Sequence, residues 1–386
     1  MKLILLLIVV LIALGMWETL RHRLVRRRIP IRVHVNGSRG KSSVTRLIAA
    51  GLQAGGLRTC AKTTGSAACF VHVDGSESPI RRTGPPNIRE QLRVFRQAAN
   101  EDCEALVVEC MAVRPDLQCV CEHDIVRATH GVITNARPDH LEVMGPRMED
   151  VAASLAGTVP RRARLFTAEE RFIGRLERRA RRLGSDVVVS SSEDVTRAEL
   201  DRFGYVEFAD NVSLALAVCR DIGVDREVAL AGMWNVTPDI GALWRMPIPA
   251  GDKDLGFVNA FAANDSESTL AVWRRFELQD VPEQAVVLFN NRADRLRRAR
   301  DLAPLFGRDI FAARIVVTGE ATAQFLDLLR GRVPKATLVD AGGLDAEALK
   351  RLLIEVSPAK ATIVGMGNIG GVGLRLLSLI EGRTAA

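Results

Sequence analysis

The sequence predicts an α/β protein in which a membrane anchor is followed by two domains built on parallel sheets. Strand-like apolar runs alternate with helix-like runs from residue 31 almost to the end, which is the pattern of a parallel sheet covered by helices. The 386 residues are 47% hydrophobic, which is sufficient for two buried cores and excludes a disordered chain. Residues 3–17 form an uncharged apolar run at the amino terminus.

This run, LILLLIVVLIALGMW, is short for a full membrane span, which takes about 20 residues, and it also fits the apolar region of a signal peptide. The flanking charges favour an anchor, because only Lys2 precedes the run. The arginines that follow it are Arg21, Arg23, Arg26, Arg27 and Arg28. The positive-inside rule then places the following chain in the cytoplasm. We expect a single anchor in the cell (inner) membrane over residues 1–20 and a basic juxtamembrane segment over 21–30, with a cleaved signal as the alternative.

The charge of the chain does not indicate a nucleic-acid partner. The net charge is +7 and the pI is about 9.3, but much of the excess lies in residues 21–28. The arginine-rich run at 171–182 is typical of a solvated helix face. The seven cysteines are irregularly spaced and form no CxxC pair, so neither a zinc site nor a disulfide framework is predicted.

The stretch IRVHVNGSRGKSSVTRLI combines a β-branched run, a glycine loop and the start of a helix. Its GxxGKS pattern is a shortened P-loop, since Val35 stands where the full pattern has its first glycine. Glycines let backbone N–H groups converge on a phosphate, and the amino end of the helix adds its dipole. We expect Lys41 to reach the β- and γ-phosphates and Ser42 to hold Mg²⁺. An ordinary glycine-rich turn is the alternative. The predicted nucleotide-binding residues of the loop are Gly37, Ser38, Arg39, Gly40, Lys41, Ser42 and Ser43.

Two buried strands of the first domain, EALVVEC and ATHGVITN, end in polar residues. Ligands bind at the carboxyl ends of parallel strands, which singles out Glu109 and the segment NARPDHLE. We expect Glu109 to hold Mg²⁺ or to orient the γ-phosphate group. His140 is predicted to ligate a second Mg²⁺ as a neutral imidazole, or else to be a hydrogen-bonded loop histidine. Helices are predicted at about 88–99, 149–156, 171–182 and 211–223, and a strand at 186–190.

A stretch rich in proline and glycine, residues 238–256, predicts a domain boundary near residue 245. The first domain is then 31–245, with the P-loop, and the second is 246–386, a smaller Rossmann-like α/β domain. Strands of the second domain are predicted in GFVNAFAAND, QAVVLFNNRADR, ARIVVTGE, KATLVD and KATIVGMGNIGG. Residues 365–371 fit GxGxxG but open no βαβ unit. We expect close helix–strand packing or a partner contact there, with a nicotinamide site as the alternative.

Several of these segments, in this order, resemble the Mur ligase superfamily. VNGSRGKS is similar to its GTNGKT-like loop, Glu109 to its strand-ending glutamate and TNARPDHLE to its TNxxxDHL segment. NAFAANDSEST is similar to its DxAHNPxS loop, and ADNVSLALAVCRDIG to its NxxxAxA helix. Within the superfamily, residues 31–386 resemble the ligase subunits of bacterial poly-γ-glutamate synthases, which act in capsule biosynthesis. Further segments that carry this resemblance are KTTG, DGSESPIRRTGPPNIREQ, ECMAVRPDLQ, FNNRADR and GMGNIGG.

The resemblance implies ATP and Mg²⁺ as cofactors, with Mn²⁺ able to replace Mg²⁺, and it places Asn211 against the adenine. The further nucleotide-binding residues that it implies are Asn135, Asn264 and Asp265. Many members hold Mg²⁺ with a carbamylated lysine after the histidine segment, but Leu155 stands at that position here. The second metal would therefore be held differently, which also affects the assignment of His140.

The implied reaction activates an acid: the γ-phosphoryl group passes to a carboxylate of a γ-glutamyl chain end, and the amine of glutamate attacks the acyl phosphate. The implied catalytic residues are Lys41, Glu109, His140 and Arg292. Further candidates for binding the anionic substrates are Arg81, Arg82 and Arg89. A surface salt bridge is the alternative for each of these arginines and for Arg292. Membrane subunits of a polymer synthase complex are implied partners. Two other functions stay open, namely a folylpolyglutamate-synthetase-like ligase with a small acceptor and a membrane-tethered P-loop NTPase that drives a partner.

Overall fold

The computed structural model describes residues 2–65, 68–82, 84–239, 243–263 and 265–381. The chain folds into two compact units, Met1–Asp239 and Ile240–Ala386. Each unit is built on one sheet whose central strands are parallel, and the connections between those strands contain helices. The predicted α/β fold is therefore confirmed. Residue 245, where the sequence predicts the domain boundary, is the first residue of a strand of the second unit.

The first unit contains an eight-stranded sheet. Its strands are β1 (Ile31–Asn36), β2 (Thr59–Thr63), β3 (Cys69–Val71), β4 (Glu77–Pro79), β5 (Ala105–Glu109), β6 (His130–Ile133), β7 (Arg164–Thr167) and β8 (Asp186–Val189). Their order in space is β4-β3-β2-β5-β1-β6-β7-β8, and only the two pairs that β3 makes are antiparallel. Its helices are α1 (Lys2–Arg27), α2 (Lys41–Ala54), α3 (Glu90–Asn100), α4 (Pro115–Val120), α5 (Leu141–Met144), α6 (Met148–Leu155), α7 (Ile173–Leu183), α8 (Arg197–Leu200), α9 (Ala209–Ile222) and α10 (Arg226–Trp234).

Helix α2 illustrates why the sequence pattern predicts this unit. Val44, Leu47, Ile48 and Leu52 recur at helical spacing, and all four side chains are fully buried. They pack with α9 and α10 in one apolar core on the sheet. Because β1 leads directly into the loop before α2, the amino end of this helix lies at the carboxyl edge of the sheet.

Strand β7 was not predicted from the sequence. Its four residues, RLFT, begin with an exposed arginine and include only two apolar side chains, so the run is too short to be distinguished from a loop. The strand forms because Leu165 and Phe166 are buried and because its backbone pairs with β6 on one side and β8 on the other.

Helix α1 is continuous over 26 residues, but its two parts have different surroundings. Residues 2–17 are exposed, whereas His22 and Arg26 in the second part are buried. Glu18 forms an ion pair with Arg89, just before α3, with an N–O distance of 2.7 Å. By length and composition, α1 is the one helix in the described part of the chain that can cross a membrane.

The second unit contains a six-stranded sheet in the order β13-β12-β11-β14-β10-β9, in which only β9 is antiparallel to its neighbour. Its strands are β9 (Arg245–Ile248), β10 (Asp254–Asn259), β11 (Ala285–Asn291), β12 (Arg314–Gly319), β13 (Leu338–Gly342) and β14 (Lys360–Gly367). Its helices are α11 (Ser266–Arg275), α12 (Leu296–Leu302), α13 (Thr322–Leu329), α14 (Ala346–Val356) and α15 (Val372–Ile380). Each of the five strands predicted in this part of the sequence is present.

Candidate active site

The predicted nucleotide-binding segments of the first unit lie side by side at the carboxyl edge of its sheet. In the strand register, Val35 of β1 is opposite Glu109 of β5, and Asn36 is opposite Ile133 of β6. The loop after β1, the end of β5 and the segment after β6 therefore meet. Parallel strands place their ligand-binding residues in this way.

Two glycines give the loop after β1 its shape. Gly37 and Gly40 have φ angles of 134° and 80°, which a residue with a side chain adopts only with strain. A Cβ atom on Gly37 would overlap Thr134 Oγ1, and one on Gly40 would lie 2.5 Å from Asn211 Oδ1. Both conformation and space therefore require glycine at these positions.

The segment after β6 holds this loop in place. The Asn135 side chain accepts a hydrogen bond from the Arg39 N–H at 3.1 Å and donates one to the Arg39 carbonyl at 3.2 Å. The Ser38 hydroxyl donates to the Arg137 carbonyl at 2.9 Å. Asn135 is thus a partner of the loop backbone, and its predicted contact with the nucleotide stays a prediction.

The Lys41 side chain folds back over the glycine loop of residues 37–40. Its Nζ donates to the carbonyl oxygens of Gly37 at 2.7 Å and Ser38 at 3.1 Å. A phosphate group bound in the loop would offer this ammonium group a stronger, charged partner. Ser42 and Ser43 follow in the first turn of α2, whose amino end carries a partial positive charge.

Ser42 and Glu109 form a hydroxyl–carboxylate pair at this edge. The Ser42 hydroxyl donates to Glu109 Oε2 at 2.9 Å, and the Thr64 N–H donates to the same oxygen at 2.6 Å. Both side chains are hard oxygen donors, so they fit Mg²⁺ bound together with nucleotide phosphates. The described residues contain no group of three or more His, Cys, Asp or Glu side chains suited to a metal. Phosphate and water oxygens would therefore complete the coordination.

Asp239 is a second carboxylate beside Ser42, and it was not predicted from the sequence. A Cβ atom on Gly65 would lie 2.6 Å from Ser42 Oγ and 2.8 Å from Asp239 Oδ2, so the two groups border the same small space. No motif marks Asp239, because it lies in a proline-containing segment after α10, far from the loop in sequence. The signal available in the sequence was the carboxylate of Asp239 within TPDIG. That segment predicted only a linker between the two domains.

His140 lies at the start of α5 with a left-handed φ of 45°. Its Nδ1 is 3.4 Å from Glu142 Oε1, and its Nε2 is 3.8 Å from Asp139 Oδ1. Asp139 in turn lies 3.7 Å from Arg39 Nη2, which links this segment to the P-loop. Leu155, at the position of the carbamylated lysine, is fully buried in an apolar cluster and offers no ligand. Metal binding by His140 stays a prediction.

Asn211 lies in the first turn of α9, with its Oδ1 against Gly40. Its Nδ2 donates to Glu207 Oε1 at 2.7 Å, and the Tyr205 hydroxyl donates to Glu207 Oε2 at 3.2 Å. Burial raises the pKa of the Glu207 carboxyl. The structure thus places Asn211 beside the loop, whereas its contact with adenine stays a prediction.

Arg82 has a structural partner. Its Nε and Nη2 donate to the two oxygens of Glu90 at 2.7 and 3.1 Å, and the fully buried Lys62 places its Nζ 3.0 Å from Glu90 Oε1. Burial lowers the pKa of Lys62. Burial would raise the pKa of Glu90, but Arg82 and Lys62 hold it below its usual range. This buried network was not predicted from the sequence.

The other two arginines predicted to bind substrate are Arg89 and Arg81. Arg89 is paired with Glu18, and Arg81 is exposed.

In the second unit, Arg292 follows β11 and lines a cleft of about 470 Å³ at the carboxyl edge, together with Gly371 and Arg375. Its Nε and Nη2 donate to the two oxygens of Asp294, both at 2.9 Å, and its side chain is 44% exposed. The guanidinium group is thus accessible but already bound to a carboxylate.

Asp265 caps α11, since its two oxygens accept hydrogen bonds from the N–H and the hydroxyl of Ser268 at 2.9 and 2.7 Å. Its predicted contact with the nucleotide stays a prediction. Asn264, predicted with it, lies outside the described residues.

Comparison with known proteins gives the chain a family. Residues 35–238 match the Mur ligase middle domain, and residues 246–383 match the poly-gamma-glutamate synthase CapB C-terminal domain. The capsule biosynthesis protein CapB of Bacillus anthracis is 37% identical over 382 residues, covering 96% of this chain and 81% of that protein. The PGA synthase CapB of Bacillus subtilis (strain 168) is 34% identical over 376 residues, covering 96% and 95%.

Solved structures of related fold are more distant in sequence. A bifunctional folylpolyglutamate synthase/dihydrofolate synthase with Mn, AMPPNP and L-glutamate bound has a TM-score of 0.69 at 12% identity, covering 94% of this chain and 92% of that one. Mycobacterium tuberculosis folylpolyglutamate synthase complexed with ADP has a TM-score of 0.68 at 17% identity, covering 96% and 94%. These likenesses confirm the fold, and the sequence matches decide the family. The chain therefore belongs to the CapB family of poly-γ-glutamate synthases, within the Mur ligases.

Proposed function

We propose that this chain is an ATP-dependent amide ligase that extends poly-γ-glutamate by joining glutamate to a γ-glutamyl chain end. The observation that carries the proposal is the Ser42–Glu109 pair beside Lys41 at the P-loop, in a chain of the CapB family. A glycine loop alone is compatible with many nucleotide-binding proteins. An ammonium group, a hydroxyl and a carboxylate around it form a set suited to phosphoryl transfer.

The reaction has two steps. A carboxylate oxygen of the chain end attacks the γ-phosphorus of ATP, the bond from that phosphorus to the oxygen of ADP breaks, and an acyl phosphate forms. The amine nitrogen of glutamate then attacks the carbonyl carbon, the carbon–oxygen bond to phosphate breaks, and phosphate leaves with the electron pair. The nitrogen loses a proton to solvent and an amide remains. Phosphorylation comes first because the carboxylate oxygen is a poor leaving group at neutral pH.

The residues of the first unit have distinct parts in the first step. Lys41 leaves its carbonyl partners and places its charge on the transferred phosphoryl group. Ser42 and Glu109 would hold Mg²⁺, for which Mn²⁺ is expected to substitute because it binds the same oxygen ligands. The divalent ion, when bound, neutralises charge on the phosphate oxygens. Thr64 keeps the Glu109 carboxylate directed at Ser42 through its N–H group.

The other predicted residues support binding. We assign His140 to a second Mg²⁺, Asn211 to the adenine and Asp265 to the nucleotide, as the family resemblance implies. Arg292 is assigned to a carboxylate of glutamate, because a guanidinium group can pair with a carboxylate through two parallel hydrogen bonds. Glutamate would then replace Asp294 as the partner of Arg292.

The exposed apolar part of α1 is assigned to the cell (inner) membrane, with both units in the cytoplasm. The proposal rests on the uncharged residues 3–17 and on the arginines that follow them. A polymer that grows at the membrane also implies membrane subunits of a synthase complex as partners of this chain.

The test is ADP release by the full chain in detergent with Mg²⁺-ATP, with and without glutamate and a short γ-glutamyl oligomer, with the products identified by mass. We expect ADP release to require both substrates and the oligomer to grow by one glutamate. Lys41→Ala should abolish ADP release, and the same change at the exposed Lys335 should leave it unchanged.

Other outcomes would replace the proposal. ADP release without glutamate and without a new amide would indicate a membrane-tethered NTPase. Glutamate addition to a small pterin acceptor, but not to the oligomer, would indicate a folylpolyglutamate-synthetase-like ligase. Full activity of Lys41→Ala would contradict the assignment of the P-loop.

A further inference from the structure

A cleft in the first unit lies at the edge of the sheet opposite the P-loop. We call it the basal cleft and define it by Arg32, His123, Arg127, Arg161 and Arg162; its volume is about 420 Å³. Arg32 lies near the start of β1, residues 127–129 precede β6, and residues 161–163 precede β7. The basal cleft is therefore formed at the amino ends of the strands and takes no part in the site described above.

The positive charge of the basal cleft exceeds the negative charge of Glu122, the carboxylate that borders it and acts on Arg32. Within the described residues, none of its four arginines forms an ion pair with a carboxylate. The Arg32 guanidinium instead donates to the carbonyl oxygens of Ile29 at 2.8 Å and Arg127 at 3.0 Å. Glu122 also borders the cleft, but its oxygens bind His34 at 2.8 Å and the Ala128 N–H at 2.9 Å. The cleft thus presents positive charge to solvent.

Two of the arginines that line the basal cleft have a strained backbone conformation. Arg127 and Arg162 have φ angles of 48° and 51°, in the left-handed region that a residue with a side chain adopts only with strain. His123 Nε2 is buried, and among the described residues it has no hydrogen-bond partner. Burial lowers the pKa of His123, and the charges of Arg161 and Arg179 act in the same direction. Retained strain and an unpaired donor or acceptor are typical of binding sites.

The basal cleft lies next to the end of α1, where Arg26 is close enough to Arg127 and Arg32 for their charges to lower its pKa. Arg26 donates to the carbonyl oxygens of Asp124 and Ile125, both at 3.1 Å, and His22 Nε2 is 2.8 Å from the Ile125 carbonyl. The chain segment that receives α1 therefore runs directly into Arg127. The exposed apolar part of α1 ends at Trp17, and Glu18 pairs with Arg89 of the folded unit. From Trp17 to Arg26 the helix rises about 14 Å at 1.5 Å per residue. The end of α1 and the cleft beside it therefore lie close to the surface of the membrane that the apolar part of α1 would enter.

We propose that the basal cleft binds the phosphate groups of anionic phospholipids at the membrane surface. The inference rests on the proposed anchoring of the chain by α1. Charge complementarity and proximity to α1 favour lipid over a soluble anion, because headgroups are held at high local concentration beside the cleft. The P-loop edge of the sheet would then face away from the membrane.

The test uses the full chain in an uncharged detergent and native mass spectrometry with added phosphatidylglycerol or phosphatidylcholine. Wild type should retain phosphatidylglycerol preferentially. The triple variant Arg127→Gln, Arg161→Gln, Arg162→Gln should bind phosphatidylglycerol at least about tenfold more weakly, since each arginine near a headgroup contributes roughly fivefold. The matched control is Arg274→Gln, Arg275→Gln, Arg351→Gln, which removes the same charge from exposed positions of the second unit and should change binding less than about twofold. ADP release should be the same in all three proteins.

Three results would overturn the inference: equal retention of the two lipids, an equal loss in the control variant, or displacement of phosphatidylglycerol by millimolar inorganic phosphate, which would identify a soluble phosphate ligand. Alkaline extraction of cell membranes separates this question from anchoring. If wild type is extracted, the proposed anchor is wrong. If wild type resists extraction but shows no preference for phosphatidylglycerol, the anchor stands and the basal cleft does not bind lipid phosphate.

Discussion

The two units each contain a glycine-rich loop between a parallel strand and a helix, yet the two loops have different surroundings. Around the loop of residues 37–40 in the first unit, Lys41, Ser42 and Glu109 place charged or polar groups at the same edge. Around residues 365–371 in the second unit, the Asn290 side chain donates to the carbonyl oxygens of Asn368 at 2.5 Å and Gly370 at 2.8 Å. Glycines determine that such a turn can form, and the neighbouring side chains determine what it can bind.

The glycines of the second loop serve close packing. A Cβ atom on Gly365 would lie 2.7 Å from the Phe261 ring, and one on Gly367, where φ is 92°, would lie 2.6 Å from the Asn290 carbonyl oxygen. These glycines therefore allow β14 to approach side chains and backbone of its own unit. The GxGxxG pattern has the same spacing as a dinucleotide fingerprint but a different physical cause.

Loss of the proposed metal ligand, Glu109, should give the largest effect on the first loop. Glu109→Gln keeps the shape of the side chain but removes the charge that pairs with Mg²⁺, so turnover should fall at least about 100-fold. Steady-state ADP release with glutamate and oligomer measures this. The control is Glu283→Gln, an exposed position of the second unit that should retain full turnover. Turnover of Glu109→Gln within about threefold of wild type would show that Glu109 is not a metal ligand.

Three glycine substitutions test whether the two loops differ as described. Gly40→Ala meets both strain and the Asn211 side chain beside the proposed phosphate site, so turnover should fall at least about tenfold. Gly367→Ala meets the Asn290 carbonyl oxygen and should destabilise the second unit by about 2–3 kcal/mol without a specific loss of turnover. Gly56→Ala, with φ of 84° and open space, reports strain alone, about 1–2 kcal/mol.

Thermal unfolding and ADP release at a temperature where all three variants are folded separate these effects. If folded Gly367→Ala loses as much turnover as Gly40→Ala, the conclusion that the two loops have different roles is wrong.

Replacement of Arg292 tests whether the cleft beside the second loop binds a substrate carboxylate. Arg292→Gln should raise the KM for glutamate about tenfold, because the paired hydrogen bonds of the guanidinium group are lost, and should leave the KM for ATP unchanged. Arg308→Gln is the control, since Arg308 pairs with Asp309 on the surface of the same unit. An equal rise in both KM values would indicate a structural role for Arg292.

The smallest expected effect is a dependence on pH that is confined to the first unit. His34 is buried with its Nδ1 2.8 Å from Glu122 Oε2. Burial opposes its ionisation, but contacts with Cys110 and Glu122 raise the pKa of His34 to about 10. A raised pKa adds stability that is complete below about pH 6.5 and is lost as the pH rises through about 10. All six histidines belong to the first unit, so no histidine contributes such a loss in the second.

The measurement is the difference in melting temperature between wild type and His34→Gln from pH 6.5 to 10. We expect this difference to shrink as the pH rises. A difference that stays constant across this range would mean that His34 is neutral in the folded protein.

Much of the first site could be predicted because its signals are local. The β-branched run before Gly37, the Lys41-Ser42 pair and the buried face of α2 all lie within a short stretch of sequence. Glu109 was also predictable, because a polar residue at the end of a buried strand marks the ligand edge of a parallel sheet. The order of these segments was enough to indicate the family, which the comparisons confirm.

The remainder depends on contacts between residues that are far apart in sequence. Nothing in the sequence near Asp239 indicates that its carboxylate lies beside Ser42. Likewise, nothing near Lys62 indicates that its charge will lie beside Glu90, which also pairs with Arg82. Strand β7 is likewise defined by the two strands on either side of it rather than by its own four residues.

The sequence by itself therefore determined the fold class, the P-loop and the family, because local periodicity, glycine conformation and the order of motifs are properties of the chain alone. The tertiary structure decided which glycine loop lies beside an ammonium group, a hydroxyl and a carboxylate. It also decided which arginines have carboxylate partners and where, within the described residues, arginines without such a partner gather into the basal cleft. The physical reason is that charge balance and packing depend on distances in space. Those distances are fixed only when the strands are paired in register and the helices are packed on them.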